Sequence, residues 1–305
     1  MNRESFTVSS SEQPDRPKLM VNLSFPELAE QAARLPVDGV GLMRAEFLCL
    51  QVGRHPMTIL EEGGEQGFVD FVRDAMVTVA DAFAPRPVTY RASDLKSNEY
   101  RDLAGGERYE PVEANPMLGR RGVFRYLHDP AGFKLELRAL VEARRHGAAN
   151  LRLMLPFVRT VQELRAVRTM VQDAGCYEQP GFELWAMAEV PATALIPEAF
   201  AREVDGLSIG SNDLTQLVLG ADRDSSELAE RYTASDPAVL AAIGRIVAGA
   251  HACGTPVSIC GDQPSRDPDL VRYLVTLGID SISVLPSAAA ETQALIDELI
   301  PAVAG

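Results

Sequence analysis

Residues 205–223 read DGLSIGSNDLTQLVLGADR, and this stretch decides how the chain is organised. A short apolar run at 207–209 meets the small residues Gly210 and Ser211 and then sets Asn212 and Asp213 side by side just past its end. Small residues let a backbone come close to a ligand and turn its amides toward an anion. Asn212 offers a donor and an acceptor, and Asp213 offers hard oxygens suited to a divalent cation. A second reading makes Asn212 and Asp213 caps at a strand-to-helix turn, since Asp213-Leu214-Thr215-Gln216 opens as a helix does.

The rest of the chain repeats this strand-then-helix grammar. Apolar runs of strand length fall at 19–23, 39–43, 88–90, 151–155, 182–188, 207–209, 257–259 and 282–285. Helices are predicted over 26–35, 68–83, about 132–146, 160–174, 237–253, 268–277 and 288–303. The 68–83 segment shows the period most plainly, with Phe68, Val69, Val72, Ala75, Met76, Val79, Ala80 and Phe83 on one face. Eight strands alternating with helices predict an α/β fold, a (β/α)8 TIM barrel, with right-handed crossovers that bring every strand C-terminus to one mouth. The chain has 305 residues, and such a barrel needs about 250.

Composition narrows the function classes. The formal net charge of −14 repels nucleic acid and anionic membranes, and no run of Lys and Arg offsets it. No apolar run approaches the ~20 residues needed to cross a bilayer. The N-terminus, MNRESFTVSSSEQPDRPK, lacks the apolar centre of a secretion signal, which predicts a cytoplasmic protein. Residues 1–16 are rich in Ser, Glu, Asp and Pro and are expected to form a flexible leader before a single barrel domain over 17–305. Cys49, Cys176, Cys253 and Cys260 form no C-x-x-C pair, and His55, His128, His146 and His251 show no ligand spacing. Reduced thiols and no zinc site are expected.

Chemistry-bearing residues fall at the predicted strand ends: Arg44, Arg91, Glu189, Asn212, Asp213 and Cys260 close strands two, three, five, six and seven. Surface residues without a common role would scatter over both barrel faces, so this clustering favours a site. Glu189 and Asp213 can give two carboxylates to Mg²⁺. Pairing of each acid with an arginine is the competing reading. Arg44, Arg91 and Arg121 can each present a planar fork to a phosphate or carboxylate, although a lone arginine after a strand is also an ordinary surface residue. Arg120 and Arg121 are adjacent, and the sequence leaves open which one faces inward. Cys260 can act as a general acid, with arginines or a metal expected to lower its pKa from about 8.5. The alternative is a buried apolar cysteine, a role that suits Cys253 better. Gly261-Asp262-Gln263-Pro264 reads as a flexible turn able to serve as a small lid, and the segment 95–122 is expected over the same mouth.

Several blocks carry a resemblance: GVGLMRAEF at 39–47, RASDLKSNEY at 91–100, ANPMLGRRG at 114–122, LPF at 155–157, MAEVPATAL at 187–195, the opening stretch, and SICGDQPSRDPDL at 258–270. In content and order they resemble the C-terminal barrel of the phosphoenolpyruvate-utilising enzymes, the group of phosphoenolpyruvate synthase, pyruvate phosphate dikinase and Enzyme I. The resemblance implies that Arg44 and Arg91 hold a transferring phosphoryl group and that Glu189 and Asp213 ligate Mg²⁺. It implies that Arg121 and Asn212 bind substrate beside Gly210, Ser211 and Asp213, and that Cys260 exchanges a proton with C3 of pyruvate or phosphoenolpyruvate. A homodimer is implied as well. Two positions depart from the family pattern, Arg120 where relatives often carry an aromatic residue or histidine, and Asp262 where they carry Gln or Glu.

The family's complete enzymes add a nucleotide-binding domain and a phosphohistidine domain, and neither a Gly-rich nucleotide loop nor the phosphohistidine surroundings is found in this sequence. Three functions are therefore weighed. The first is the barrel of a split phosphotransferase, a kinase-type transferase fed by a separate phosphohistidine protein. The second is a stand-alone lyase or transferase using the enolate of pyruvate or a related oxoacid. The third is a noncatalytic phosphoenolpyruvate-binding module, which the presence of a C3 proton donor argues against.

Overall fold

The computed structural model describes residues 16–300; nearly all of the expected leader, and the last residues of the helix expected at 288–303, lie outside them. Eight parallel strands close into a barrel in sequence order: β1 (Lys18–Leu23), β2 (Gly39–Arg44), β3 (Val88–Arg91), β4 (Leu151–Leu155), β5 (Leu184–Ala188), β6 (Gly206–Gly210), β7 (Val257–Cys260) and β8 (Ser281–Val284). The (β/α)8 barrel is thus the observed fold. Among the described residues no helix is long and apolar enough to cross a membrane.

Alternation along each strand sorts its side chains into two layers. On β5, Leu184, Ala186 and Ala188 join the large core beneath the helices, whereas Trp185 and Met187 join a second cluster with Leu42, Met154 and Cys260. This second cluster packs the bore below the mouth. Its bulky members need small neighbours. A Cβ on Gly206 would lie 2.4 Å from the Trp185 ring, and one on Gly210 would lie 2.8 Å from Met187.

One device recurs at the opposite, N-terminal face. Asp38, just before β2, accepts from the Leu19 amide at 2.8 Å; Asp205, before β6, accepts from Leu184 at 2.8 Å; Asp280, before β8, accepts from Val257 at 2.7 Å. Each aspartate also donates its own amide back to the carbonyl of that same residue. Three neighbouring strand pairs are clamped alike, each satisfying backbone groups at the buried start of a strand.

Helix starts follow their capping residues. Thr160 and Glu163 form a reciprocal capping box before the helix Val161–Asp173, and Asp236 caps the helix Pro237–His251 with Pro237 at its first position. Two expectations are corrected. The helix predicted over 26–35 is a 3-10 turn, Pro26–Leu28, followed by a short helix, Ala29–Ala33. The strand predicted from 182 begins at Leu184 because the Gly181–Phe182 segment is still turning, with the Phe182 amide bonded back to Gln179. Cys253 also lies past its helix and is only partly buried.

Gly206→Ala is expected to destabilise the fold by about 1–3 kcal/mol, the usual result of overpacking a filled core. Urea unfolding followed by the fluorescence of the single tryptophan measures it; an unchanged midpoint would show that Trp185 has room to move.

Candidate active site

Every residue singled out from the sequence, Arg44, Arg91, Arg121, Glu189, Gly210, Ser211, Asn212, Asp213 and Cys260, lines one cavity of about 570 Å³ at the C-terminal mouth of the barrel. Strand ends supply most of them, and Arg121 arrives on the chain that returns after β3. There the backbone is extended at Arg121 (φ −147°, ψ 166°), so successive side chains point to opposite sides. Glu113 accepts from the Arg120 amide and Arg125 donates to the Arg120 carbonyl. Arg121 is the inward residue, 3% exposed, which resolves the choice the sequence left open.

Charge balance organises the cavity. Arg121 donates Nε to Asp94 Oδ1 at 3.0 Å and Nη2 to Asp94 Oδ2 at 2.5 Å, and its Nη2 also reaches Asp213 Oδ2 at 3.1 Å. Arg91 donates Nη2 to Glu46 Oε1 at 3.0 Å, and that oxygen also accepts from the Asp94 amide at 2.7 Å. Burial opposes the charge on both guanidiniums, but the surrounding carboxylates raise both pKa values above the ordinary arginine range. For Asp213, burial would raise the pKa, yet Arg121, Arg223 and Arg91 hold it below the usual range. Glu189 makes no ion pair among the described residues, and the pull of Arg91 and Arg121 on it is outweighed. Its Oε1 accepts from the Phe157 amide at 2.7 Å, and burial, with Asp213 and Asp94 nearby, pushes its pKa up.

Asp94, Glu189 and Asp213 each place a carboxylate oxygen within 4.8 Å of the others. Asp213 Oδ1 is buried without a hydrogen bond, though Arg223 Nη1 approaches it at 3.3 Å. Hard oxygens, a deficit of positive charge at Glu189 and an orphan acceptor fit a small divalent cation such as Mg²⁺. The competing ion-pair reading holds for Asp213 and not for Glu189. Across the mouth the orphans are of both signs, with Glu46 Oε2 a buried acceptor without a partner beside two donors. Arg44 Nε and Arg91 Nε are buried donors without partners, which suits a multi-oxygen anion.

Cys260 is 1% exposed, and Ser208 Oγ lies 3.7 Å from its sulfur. Burial pushes its pKa up to about 11, against partial relief from Ser208 and Arg91. Arg91 and Arg44 act in the expected downward sense, but burial outweighs them, so the net shift is upward and the thiol is held protonated. The 261–264 turn is also corrected. The Gly261 carbonyl accepts from Asn22 at 3.2 Å, Asp262 accepts from Asn212 at 3.1 Å, and Gln263–Ser265 forms a 3-10 turn, so this segment is pinned rather than free. Asn212 is engaged there and does not cap its helix, whose N-cap is Gly210.

A second cluster, His55, Glu110 and Asp129, has ligand-like proximity but is a structural ion network. Glu110 takes Arg125 through both oxygens at 2.5 and 2.8 Å and His55 Nε2 at 3.0 Å. His55 Nδ1 accepts from the Met57 amide, which assigns the ring proton to Nε2. Burial raises the Glu110 pKa, but His55 and Arg125 bring it down to about 2.

The sequence reading missed Asp94, Glu46 and Arg223, although each lies two or three residues, or one helix, beyond a strand end it had singled out. It also missed Glu136, whose buried carboxylate accepts from Tyr90 Oη at 2.7 Å and from the Ser93 amide at 3.0 Å, fixing the segment that carries Asp94. Nothing in a helical Glu among charged neighbours signals that role.

A family model described as "PEP-utilising enzyme, PEP-binding domain" matches residues 5–300. Among curated relatives, a probable phosphoenolpyruvate synthase of Staphylothermus marinus is 50% identical over 286 residues, covering 92% of this chain and 34% of the relative. The phosphoenolpyruvate synthase of Aeropyrum pernix is 48% identical over 279 residues (89% of this chain, 34% of the relative), and that of Escherichia coli 39% over 322 residues (96% and 41%). The chain therefore spans about a third of the length of the first two relatives. Among solved structures, a Haloferax volcanii malate synthase ternary complex with pyruvate and acetyl-CoA covers 97% of this chain and 72% of its own at TM-score 0.56 and 13% identity, a likeness of fold.

Glu136 yields a pH signature. Burial raises its pKa from 4.5 to about 7, so between those values the native state holds a proton that the unfolded chain has released. Stability attributable to this group falls as pH rises through that window, by up to about 1.4 kcal/mol per pH unit. Urea midpoints at pH 5 and pH 7 are expected to differ less in Glu136→Gln than in the wild type; equal differences would show that Glu136 is ionised throughout.

Proposed function

The chain belongs to the PEP-utilising enzymes through their PEP-binding domain, and on that premise we propose that it is a phosphotransferase barrel acting with Mg²⁺. In this reading it passes a phosphoryl group between a separate phosphohistidine protein and pyruvate by way of the enolate. The observation that carries the proposal is the polarity of one cavity, with orphan guanidinium donors at Arg44 and Arg91, the Asp94–Glu189–Asp213 carboxylates, and the protonated Cys260 thiol.

Glu189 and Asp213 would hold Mg²⁺, while Asp94 stays with Arg121. When bound, the ion supplies Lewis-acid stabilisation of negative charge on the substrate's oxygens. Arg44 and Arg91, both lining the cavity, neutralise the phosphoryl group during transfer. Arg121, Asn212 and the backbone at Gly210 and Ser211 orient the carboxylate end of the substrate. In the direction of pyruvate formation, the bond between the enol oxygen and phosphorus breaks, phosphorus bonds to the partner protein's histidine nitrogen, which releases its proton to solvent, and Cys260 gives its proton to C3 and is left as the thiolate to be reprotonated from solvent. Synthesis of phosphoenolpyruvate reverses each step, with the Cys260 thiolate taking the C3 proton. Homodimer formation and a cytoplasmic location belong to the same reading, as does a single barrel domain over 17–305.

The cavity, at about 570 Å³, is larger than a three-carbon acid requires. This leaves room for a phosphohistidine, and equally for the second substrate of a stand-alone lyase or transferase working on a pyruvate or oxoacid enolate. Dependence on an added phosphohistidine protein separates the two.

Proton NMR of pyruvate in D₂O with Mg²⁺ tests the enolate step without any partner. Loss of the methyl signal is expected, abolished by EDTA and slowed at least about 100-fold by Cys260→Ala, the usual worth of a positioned acid–base group. Undiminished exchange in the variant would remove Cys260 from the chemistry. Absence of exchange, together with absence of Mg²⁺-dependent phosphoenolpyruvate binding, would overturn the reading.

A further inference from the structure

Phe157 is the one non-glycine residue with positive φ among the described residues, at 49°. It lies two residues past β4, at the mouth, and is 1% exposed. A bulky side chain avoids this conformation, which persists only where the surroundings impose it, and such residues gather at functional sites. The surroundings do impose it. Gly122, itself at φ 55°, packs so closely that an added Cβ would lie 2.7 Å from the Phe157 Cβ and 2.7 Å from the Pro156 carbonyl oxygen. The Val123 amide donates to that same carbonyl at 3.2 Å.

Two consequences follow from the one backbone turn. The Phe157 amide points at Glu189 Oε1, 2.7 Å away, while the ring passes beneath the Arg121 guanidinium, whose central carbon is 3.9 Å from the ring centroid. Arg159 lies 4.6 Å from the same centroid and donates Nη2 to the Leu118 and Gly119 carbonyls at 3.2 and 2.7 Å, in the turn that delivers Arg121. Because φ turns the side chain about N–Cα relative to the amide, an ordinary value would carry the ring away from Arg121 if the amide stayed on Glu189. Cations are attracted to the face of an aromatic ring, and more so when water is excluded.

We propose that Phe157 is a positioning residue of this site, registering Glu189 through its amide and Arg121 through its ring so that the cation-side carboxylate and the anion-side guanidinium share one frame. The proposal rests on the functional reading above for what the two groups bind, and on geometry alone for how they are held.

Phe157→Leu keeps the amide and removes the π face. The expected result is a split, with Mg²⁺ affinity by calorimetry within about twofold of the wild type and phosphoenolpyruvate affinity in Mg²⁺ weakened about 5- to 20-fold, the range of a desolvated cation–π contact. The Nε–H of Arg121, hydrogen-bonded to Asp94, is expected to exchange with water about tenfold faster or more by NMR. Arg159→Gln, at a half-buried position, is the milder second variant should the first fold poorly, and the same split is expected at smaller amplitude. A lowered Tm with unchanged Arg121 exchange and unchanged phosphoenolpyruvate affinity would reduce Phe157 to packing and overturn the proposal. Failure of the wild type to bind phosphoenolpyruvate counts against the functional reading instead, because Arg121 exchange needs no ligand and decides the positioning claim by itself.

Discussion

The mouth of this barrel is governed by the need to balance buried charge. Asp94, Glu189 and Asp213 converge within a few ångströms in a place largely closed to water, and ions removed from water are tolerated only with good partners. Arg121 supplies most of that compensation, as a bidentate partner of Asp94 and a bridge to Asp213. Much of the surrounding architecture holds Arg121 there: the Glu113 and Arg125 contacts that fix the Arg120 backbone, the Arg159 bonds to the preceding turn, and the Phe157 ring beneath. What stays uncompensated, the Glu189 carboxylate, is where a divalent cation would contribute most.

The two ends of the barrel answer different physical demands. At the N-terminal face Asp38, Asp205 and Asp280 each join their own amide and carboxylate to a neighbouring strand, a repeated solution that completes backbone hydrogen bonds. At the C-terminal face the groups without partners are the informative ones: Arg44 Nε, Arg91 Nε and Asp213 Oδ1. A buried polar atom left unpaired costs stability, and the proposed function would give these three a ligand to pair with. Between the two faces the bore is plugged by Leu42, Met154, Trp185, Met187 and Cys260, which places the Cys260 sulfur at the boundary of an apolar floor and a polar cavity. That position raises its pKa and keeps its proton in place.

The amino-acid sequence by itself determined the barrel, because strand and helix periodicities are local and eight alternations admit few closed arrangements. It also determined the residues at the strand ends, since a parallel barrel brings every strand C-terminus to one side. Arg44, Arg91, Glu189, Asn212, Asp213 and Cys260 were legible for that reason, and Arg121 was legible as one of an adjacent pair of arginines. Contacts made by loops and buried helix faces were decided only in the tertiary structure. Whether Arg120 or Arg121 turned inward depended on Glu113 and Arg125; the rise in the Cys260 pKa depended on how completely the bore is filled; the pinning of the 261–264 turn depended on Asn22 and Asn212, far away in sequence. Asp94, Glu136 and Phe157 acquire their roles from neighbours 27 to 46 residues distant. Periodicity reports which face of an element is apolar, but electrostatic partnership and backbone strain are set by what the folded chain brings within a few ångströms, and no local pattern encodes that.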